Sequence, residues 1–257
     1  MTDAQLYARM LDNLRSAFRI AARTPGGAAL ELDGVVAAIT PAARYLSIFN
    51  GVVYTDAEAL DAALPQLTRA YDAVGVQAWT VWIPEDDRAA AELVEAAGHA
   101  LDASPRATAC ELAALDLAAP ARLDYQRDVP VETFEALTMR GFGGRPEHAR
   151  GALAGFDEER AHRYIAIADG EPAATVGVWD DEGDAGIYYV STLPAARGRG
   201  LATALMTRAL LDARERGCET TSLQATKMGR PVYARLGFRD LGAIEMWERR
   251  KAPVPTT

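Results

Sequence analysis

Val190-Ser191-Thr192-Leu193-Pro194-Ala195-Ala196-Arg197-Gly198-Arg199-Gly200-Leu201-Ala202 passes from an extended segment, through a sharp turn with two glycines, into the start of a helix. Glycine lets backbone approach a ligand closely and adopt positive φ. A helix N-terminus presents unpaired N–H groups and a partial positive charge, a combination that suits a pyrophosphate. Arg197 and Arg199 add full charges beside it. The run matches neither Gly-x-Gly-x-x-Gly nor a P-loop, since no Gly-Lys-Ser or Gly-Lys-Thr follows.

Upstream, the pattern predicts strands at 163–168, 173–179 and 186–192, with turns at Asp169-Gly170 and at the acidic stretch 180–184. Downstream, Ala204, Leu205, Leu210 and Leu211 mark an amphipathic helix over 201–216, stopped by Gly217. A strand at 219–224 follows, then a short helix to about residue 236 closed by Gly237, and a strand near 243–248. Earlier in the chain the same late order recurs. A strand at 49–54 leads to a helix at 56–73 ending near Gly75, then a strand at 78–83, a helix at 87–97, Gly98 and a strand near 107–113. We read an internal duplication of α/β class, with a linker at 115–122 where periodicity lapses around Pro120.

The spacing of Arg197, Gly200 and Ala202 resembles the acetyl-CoA loop of the GCN5-related N-acetyltransferases (GNAT). Val232-Tyr233-Ala234-Arg235-Leu236-Gly237-Phe238 resembles that family's second hallmark, a tyrosine ahead of Leu-Gly-Phe. The resemblance covers roughly 123–250 and reaches the first half only in outline. It implies two tandem GNAT-like domains, each a mixed, mostly antiparallel sheet flanked by helices (α/β, α+β). Residues 1–118 form a degenerate, non-catalytic domain and 123–257 the catalytic one.

The resemblance further implies that the fourth and fifth strands splay and admit the pantetheine arm of acetyl-CoA, a cosubstrate, as though it were an added strand. Val190, Ser191 and Thr192 then contact pantetheine. Arg197, Gly198, Arg199, Gly200, Leu201, Ala202 and Thr203 hold the pyrophosphate. Main-chain N–H near Thr192 stabilises the oxyanion, and Tyr233 protonates the leaving thiolate. Thr226 stands where relatives often carry Asn. The implied activity is transfer of an acetyl group to a primary amine, on a small molecule or a protein, by direct attack on the thioester. The alternative is a non-catalytic acyl-CoA-binding or regulatory module.

The general base stays open. Asp180, Asp181, Glu182 and Asp184 read as a solvated turn, and Tyr188 and Tyr189 are expected on opposite faces of their strand. The glycine-rich loop from Met139 to Pro146 falls where the family shapes its acceptor pocket. In the first half, Val94 takes the place of Tyr233, and Thr55-Asp56-Ala57-Glu58 is acidic where a phosphate loop would stand, so no cofactor is expected there. Trp79 and Trp82 lie three apart on a predicted strand, hence on opposite faces.

Composition narrows the classes. A net charge of −9 over 257 residues argues against nucleic acid as a partner, because phosphate affinity needs clustered Lys and Arg. Lysine occurs only at Lys227 and Lys251. The first residues alternate in helical fashion through Leu6, Met10, Leu11, Leu14 and Phe18, unlike a signal peptide or a membrane span. Cys110 and Cys218 give no disulfide framework, and His99, His148 and His162 have no ligand spacing, so a cytoplasmic protein without metal is expected.

Overall fold

The computed structural model describes residues 1–115, 117–120 and 122–254; the linker at 115–122 thus falls partly outside, at Asp116 and Ala121. Helix α1 (Asp3–Ala21) opens with a reciprocal cap, Thr2 accepting the Gln5 N–H and the Gln5 side chain accepting the Thr2 N–H. Strands β1 (Ala28–Leu32) and β2 (Val35–Ile39) form a hairpin around Asp33-Gly34. Strand β3 (Gly51–Tyr54), helix α2 (Ala57–Ala73), strand β4 (Ala78–Pro84), helix α3 (Arg88–Ala96) and strands β5 (Ala100–Ala103) and β6 (Arg106–Glu111) complete the first half.

The second half holds β7 (Asp124–Arg127), α4 (Val131–Gly141), β8 (Ala161–Ala168), β9 (Glu171–Asp181), β10 (Asp184–Thr192), α5 (Leu201–Glu215), β11 (Thr220–Ala225), α6 (Arg230–Leu236) and β12 (Arg239–Arg250). Strands β5 and β7 escape the sequence reading because both are short and exposed, with no apolar alternation to betray them. The strand expected at 49–54 starts at Gly51, after a 3-10 turn at Ser47–Phe49.

A 12-stranded open sheet runs β1-β2-β3-β4-β12-β6-β11-β10-β9-β8-β7, with β5 attached to β12 off that path. Pairing is antiparallel except at β3–β4 and β10–β11. The halves exchange their last strands. β6 pairs with β11 from Glu111–Thr220 to Arg106–Ala225. β12 pairs with β4 from Pro84–Ile244 to Ala78–Arg250. Leu112 and Leu115 accordingly sit in the core built by α5, β9 and β10, and Trp247 sits in the core of α2 and α3.

Helix α1 ties the halves a second time. Met10, Leu14 and Phe18 pack with Val36, Val53 and Trp82. From the other side of the helix, buried Asn13 donates to the carbonyls of Trp179 and Asp184, both at 3.1 Å, and Ser16 donates to Asp181 at 2.7 Å. Trp79 and Trp82 do face opposite ways, and both are buried.

Candidate active site

Strands β10 and β11 stay parallel for only three pairs, Asp184–Thr220 to Gly186–Ser222. Beyond them β10 follows β9 while β11 follows β6, and a notch opens between. The Leu193 N–H turns back to the Ala173 carbonyl at 2.9 Å. Strand alternation therefore points the amides of Thr192 and Val190 into the notch. The side chain of Ser191 is buried on the α4 side, its hydroxyl 2.8 Å from that of Thr175.

A β-bulge makes the divergence. Tyr188 opposes Gly177 and Ser191 opposes Thr175, so Tyr189 and Val190 together face Val176. Tyr189 has φ 56°, a left-handed conformation costing a bulky residue on the order of 1–3 kcal/mol. Thr175 holds it there by donating to the Tyr189 carbonyl at 2.7 Å, and Thr138 donates to Thr175 at 3.3 Å. The bulge corrects the expectation for the two tyrosines: both rings lie on the α4 side, centroids 6.1 Å apart. Tyr188 donates to Asn13 at 2.8 Å, and Tyr189 sits among Phe49, Phe134 and Phe156. Gly141, which the sequence did not single out, lets α4 approach: a Cβ there would lie 2.2 Å from Ser191 Oγ.

At the end of β10, Gly198 and Gly200 both take φ 76°, and a Cβ at either would meet nothing within 4 Å. Gly200 caps α5 without a side-chain hydrogen bond. The N–H groups of Leu201, Ala202 and Thr203 therefore stand at an uncapped helix start with no intrahelical acceptor. Both arginines have partners within the protein. Arg197 donates to the Thr192 carbonyl at 3.2 Å and the Gly141 carbonyl at 3.0 Å, tying the loop to β10 and α4. Arg199 makes a bidentate surface pair with Asp169 at 2.6 and 3.1 Å.

Tyr233 enters from α6, whose start carries Pro231 and whose end is Gly237 at φ 99°. The ring is 7% exposed and shares a core with Val190, which brings it to the splayed part of β10. Burial pushes its phenol up to about 12, so it is a protonated donor at neutral pH. Its hydroxyl has no hydrogen-bond partner among the described residues. Thr226 is exposed and accepts the Gly229 N–H at 3.3 Å, capping the turn into α6.

The acids at 180–184 lie at the opposite end of β10 from this constellation, and the solvated-turn reading is corrected for two of them. Asp184 is buried and accepts from Thr220 and Ser222 at 2.7 and 2.6 Å. Asp180 takes a bidentate pair from Arg216.

Residues 130–238 match the model of the acetyltransferase (GNAT) family. The match lies wholly within the second half of the chain. No curated protein matches it in sequence. Among solved structures, a GCN5-related N-acetyltransferase from Kribbella flavida is 17% identical, with a TM-score of 0.68 over 93% of this chain and 94% of that one. Another from Sphaerobacter thermophilus is 17% identical, with a TM-score of 0.61 over 86% and 78%. A tandem GNAT protein from the clavulanic acid biosynthesis pathway is 16% identical, with a TM-score of 0.57 over 86% and 79%. These likenesses establish the fold.

The first half also contains a parallel strand pair. β3 and β4 are parallel at Gly51–Thr80 and Val52–Val81. There Asp56 caps α2 by accepting the Ala59 N–H at 2.9 Å, and the Tyr54 hydroxyl donates to Asp87, the cap of α3, at 2.8 Å. Val94 is fully buried. Among the described residues no group of three or more His, Cys, Asp or Glu could hold a metal ion, and no helix is long and apolar enough to cross a membrane. Burial, with Asp180 beside it, pushes the Cys218 thiol up to about 12.

Proposed function

We propose that this protein transfers the acetyl group of acetyl-CoA to a primary amine, with the second half's notch as the reaction site. The reading is carried by three features together: the Val190 and Thr192 amides directed away from β9, the uncapped start of α5, and Tyr233 in the same core as Val190. A diphosphate fits amides that lack acceptors and glycines whose Cβ positions are open. The amine nitrogen attacks the thioester carbonyl and its lone pair forms the new N–C bond. The oxyanion that develops is met by the Thr192 N–H. As it collapses the C–S bond breaks, its electrons leave on sulfur, and Tyr233 gives the thiolate its proton. The ammonium proton goes to a base.

Calorimetry of the whole chain with acetyl-CoA tests the first part, and no heat sinks it. Tyr233→Phe should keep donor affinity while slowing thiol release to an amine by about 10²-fold or more. Donor binding without thiol release to any amine, in the unmutated chain, establishes the acyl-CoA-binding module instead.

A further inference from the structure

Strands β5 and β6 are one bent strand interrupted at Ser104-Pro105, both paired with β12. β6 has β11 on its other edge, but β11 ends at Ala225, opposite Arg106. The outer edge of β5 is therefore left facing the notch, across from the splayed end of β10, and all four of its residues are exposed. Within β5, Ala103 opposes Met246 and Leu101 opposes Trp247, so Asp102 is the extra residue of a bulge. The charges that act on it, Glu248 and Arg250, share one side of β12 with Met246, the side occupied by α1, Tyr188 and the Phe49–Tyr189 stack. Phe49 and Tyr189 lie nearly parallel, 14° between planes and 6.1 Å apart, and Ile48 beside them is 52% exposed.

We propose that the acceptor amine carries a flat apolar body, seated on exposed Ile48 at the edge of the buried Phe49–Tyr189 stack, and that Asp102 takes the ammonium proton. This rests on the acetyl-transfer reading and makes the first half a contributor to the reaction site. The groups around Asp102 suit the task. Glu248 is occupied by Ser47 at 2.5 Å and by a bidentate pair with Arg250. His99, just ahead of β5, is turned onto Trp79. Asp102 itself has neither an ion pair nor a hydrogen bond among the described residues. Partial burial, with Glu248 adding and Arg250 opposing, raises its carboxyl above the usual range and favours proton uptake. The proton leaves nitrogen for the Asp102 carboxylate, and the released pair becomes the attacking lone pair.

The test uses the whole chain, acetyl-CoA, and 2-phenylethylamine against n-propylamine, followed by thiol release. The expected result is a lower KM for 2-phenylethylamine, by about 10-fold or more, and Ile48→Ser narrows that ratio of KM values. Asp102→Asn should lower kcat by about 10²-fold at pH 7 and recover as pH approaches the amine's own pKa; Asp102→Glu should keep most activity. Equal KM values for the two amines, or an Asp102→Asn enzyme with the unmutated rate and pH profile, overturn the proposal. Calorimetric binding of acetyl-CoA by both variants separates that failure from failure of the acetyl-transfer reading.

Discussion

The two parallel strand pairs of this molecule share a geometry and differ in what caps the helix that joins their strands. In the second, the helix start is left bare behind Gly200, and a phenol without a partner stands on the wall. In the first, Asp56 occupies the amides of α2, and the Tyr54–Asp87 hydrogen bond spans from the end of β3 to the start of α3. The helix start is thus capped by a side chain in one half and left bare in the other. An empty helix N-terminus is a site only where the chain declines to cap it.

The comparison breaks most severely if the halves are parted. Residues 123–257 alone lack β6 and α1 and lose Cys110, Leu112 and Leu115 from their core. At about 1.5–3 kcal/mol per buried apolar side chain, and with β11 left an edge, the loss rivals a typical folding free energy of about 5–15 kcal/mol. The isolated segment should show no cooperative unfolding by circular dichroism, and adding residues 1–118 should restore it. Cooperative melting of the segment alone would show the exchange to be dispensable.

Capping α5 as α2 is capped is the next largest change. Gly200→Asp suits the left-handed cap position, yet it places a carboxylate on the bare amides. Acetyl-CoA affinity should fall about 100-fold or more, read by calorimetry, with the melting temperature only slightly lowered by the strain of a side chain at φ 76°; undiminished affinity would move the phosphate site elsewhere.

The parallel pairing beside the notch also holds a buried carboxyl, Asp184, which burial pushes up to about 6. The folded state therefore binds a proton more readily than the unfolded chain, whose carboxyl has the ordinary value of 3.8. Stability from this group is present below that ordinary value and is lost as pH rises through about 6, amounting to about 3 kcal/mol. Asp184→Asn should remove that slope, so its stability relative to the unmutated chain should be higher at pH 7.5 than at pH 4. A difference that does not vary with pH refutes the linkage. Smallest is Asp56→Ala, which should cost about 1 kcal/mol in chemical denaturation and leave acetyl-CoA affinity untouched, because that cap serves α2 alone.

Much of the second half was legible because its signals are local. Glycines at 198, 200 and 237 adopt the positive φ that their turn positions suggested, and the tyrosine hallmark fell on the notch wall. The orientation of Tyr189 was not, because one inserted residue in β10 reverses every face assignment after it, and nothing in the run Ile187 to Ser191 marks the insertion. Asn13 and Ser16 read as the polar side of a surface helix; only the docking of β9 and β10 against α1 makes them buried partners.

By itself the sequence determined most of the second half's strands and helices and the glycine turn ahead of α5, since each follows from side chains within a few residues of one another. The tertiary structure alone decided that β6 and β12 change places, that α1 serves both halves, and that Tyr188 and Tyr189 share one side of β10. Strand pairing runs through backbone amides common to every residue, so which strand lies beside which is settled by the packing of whole faces.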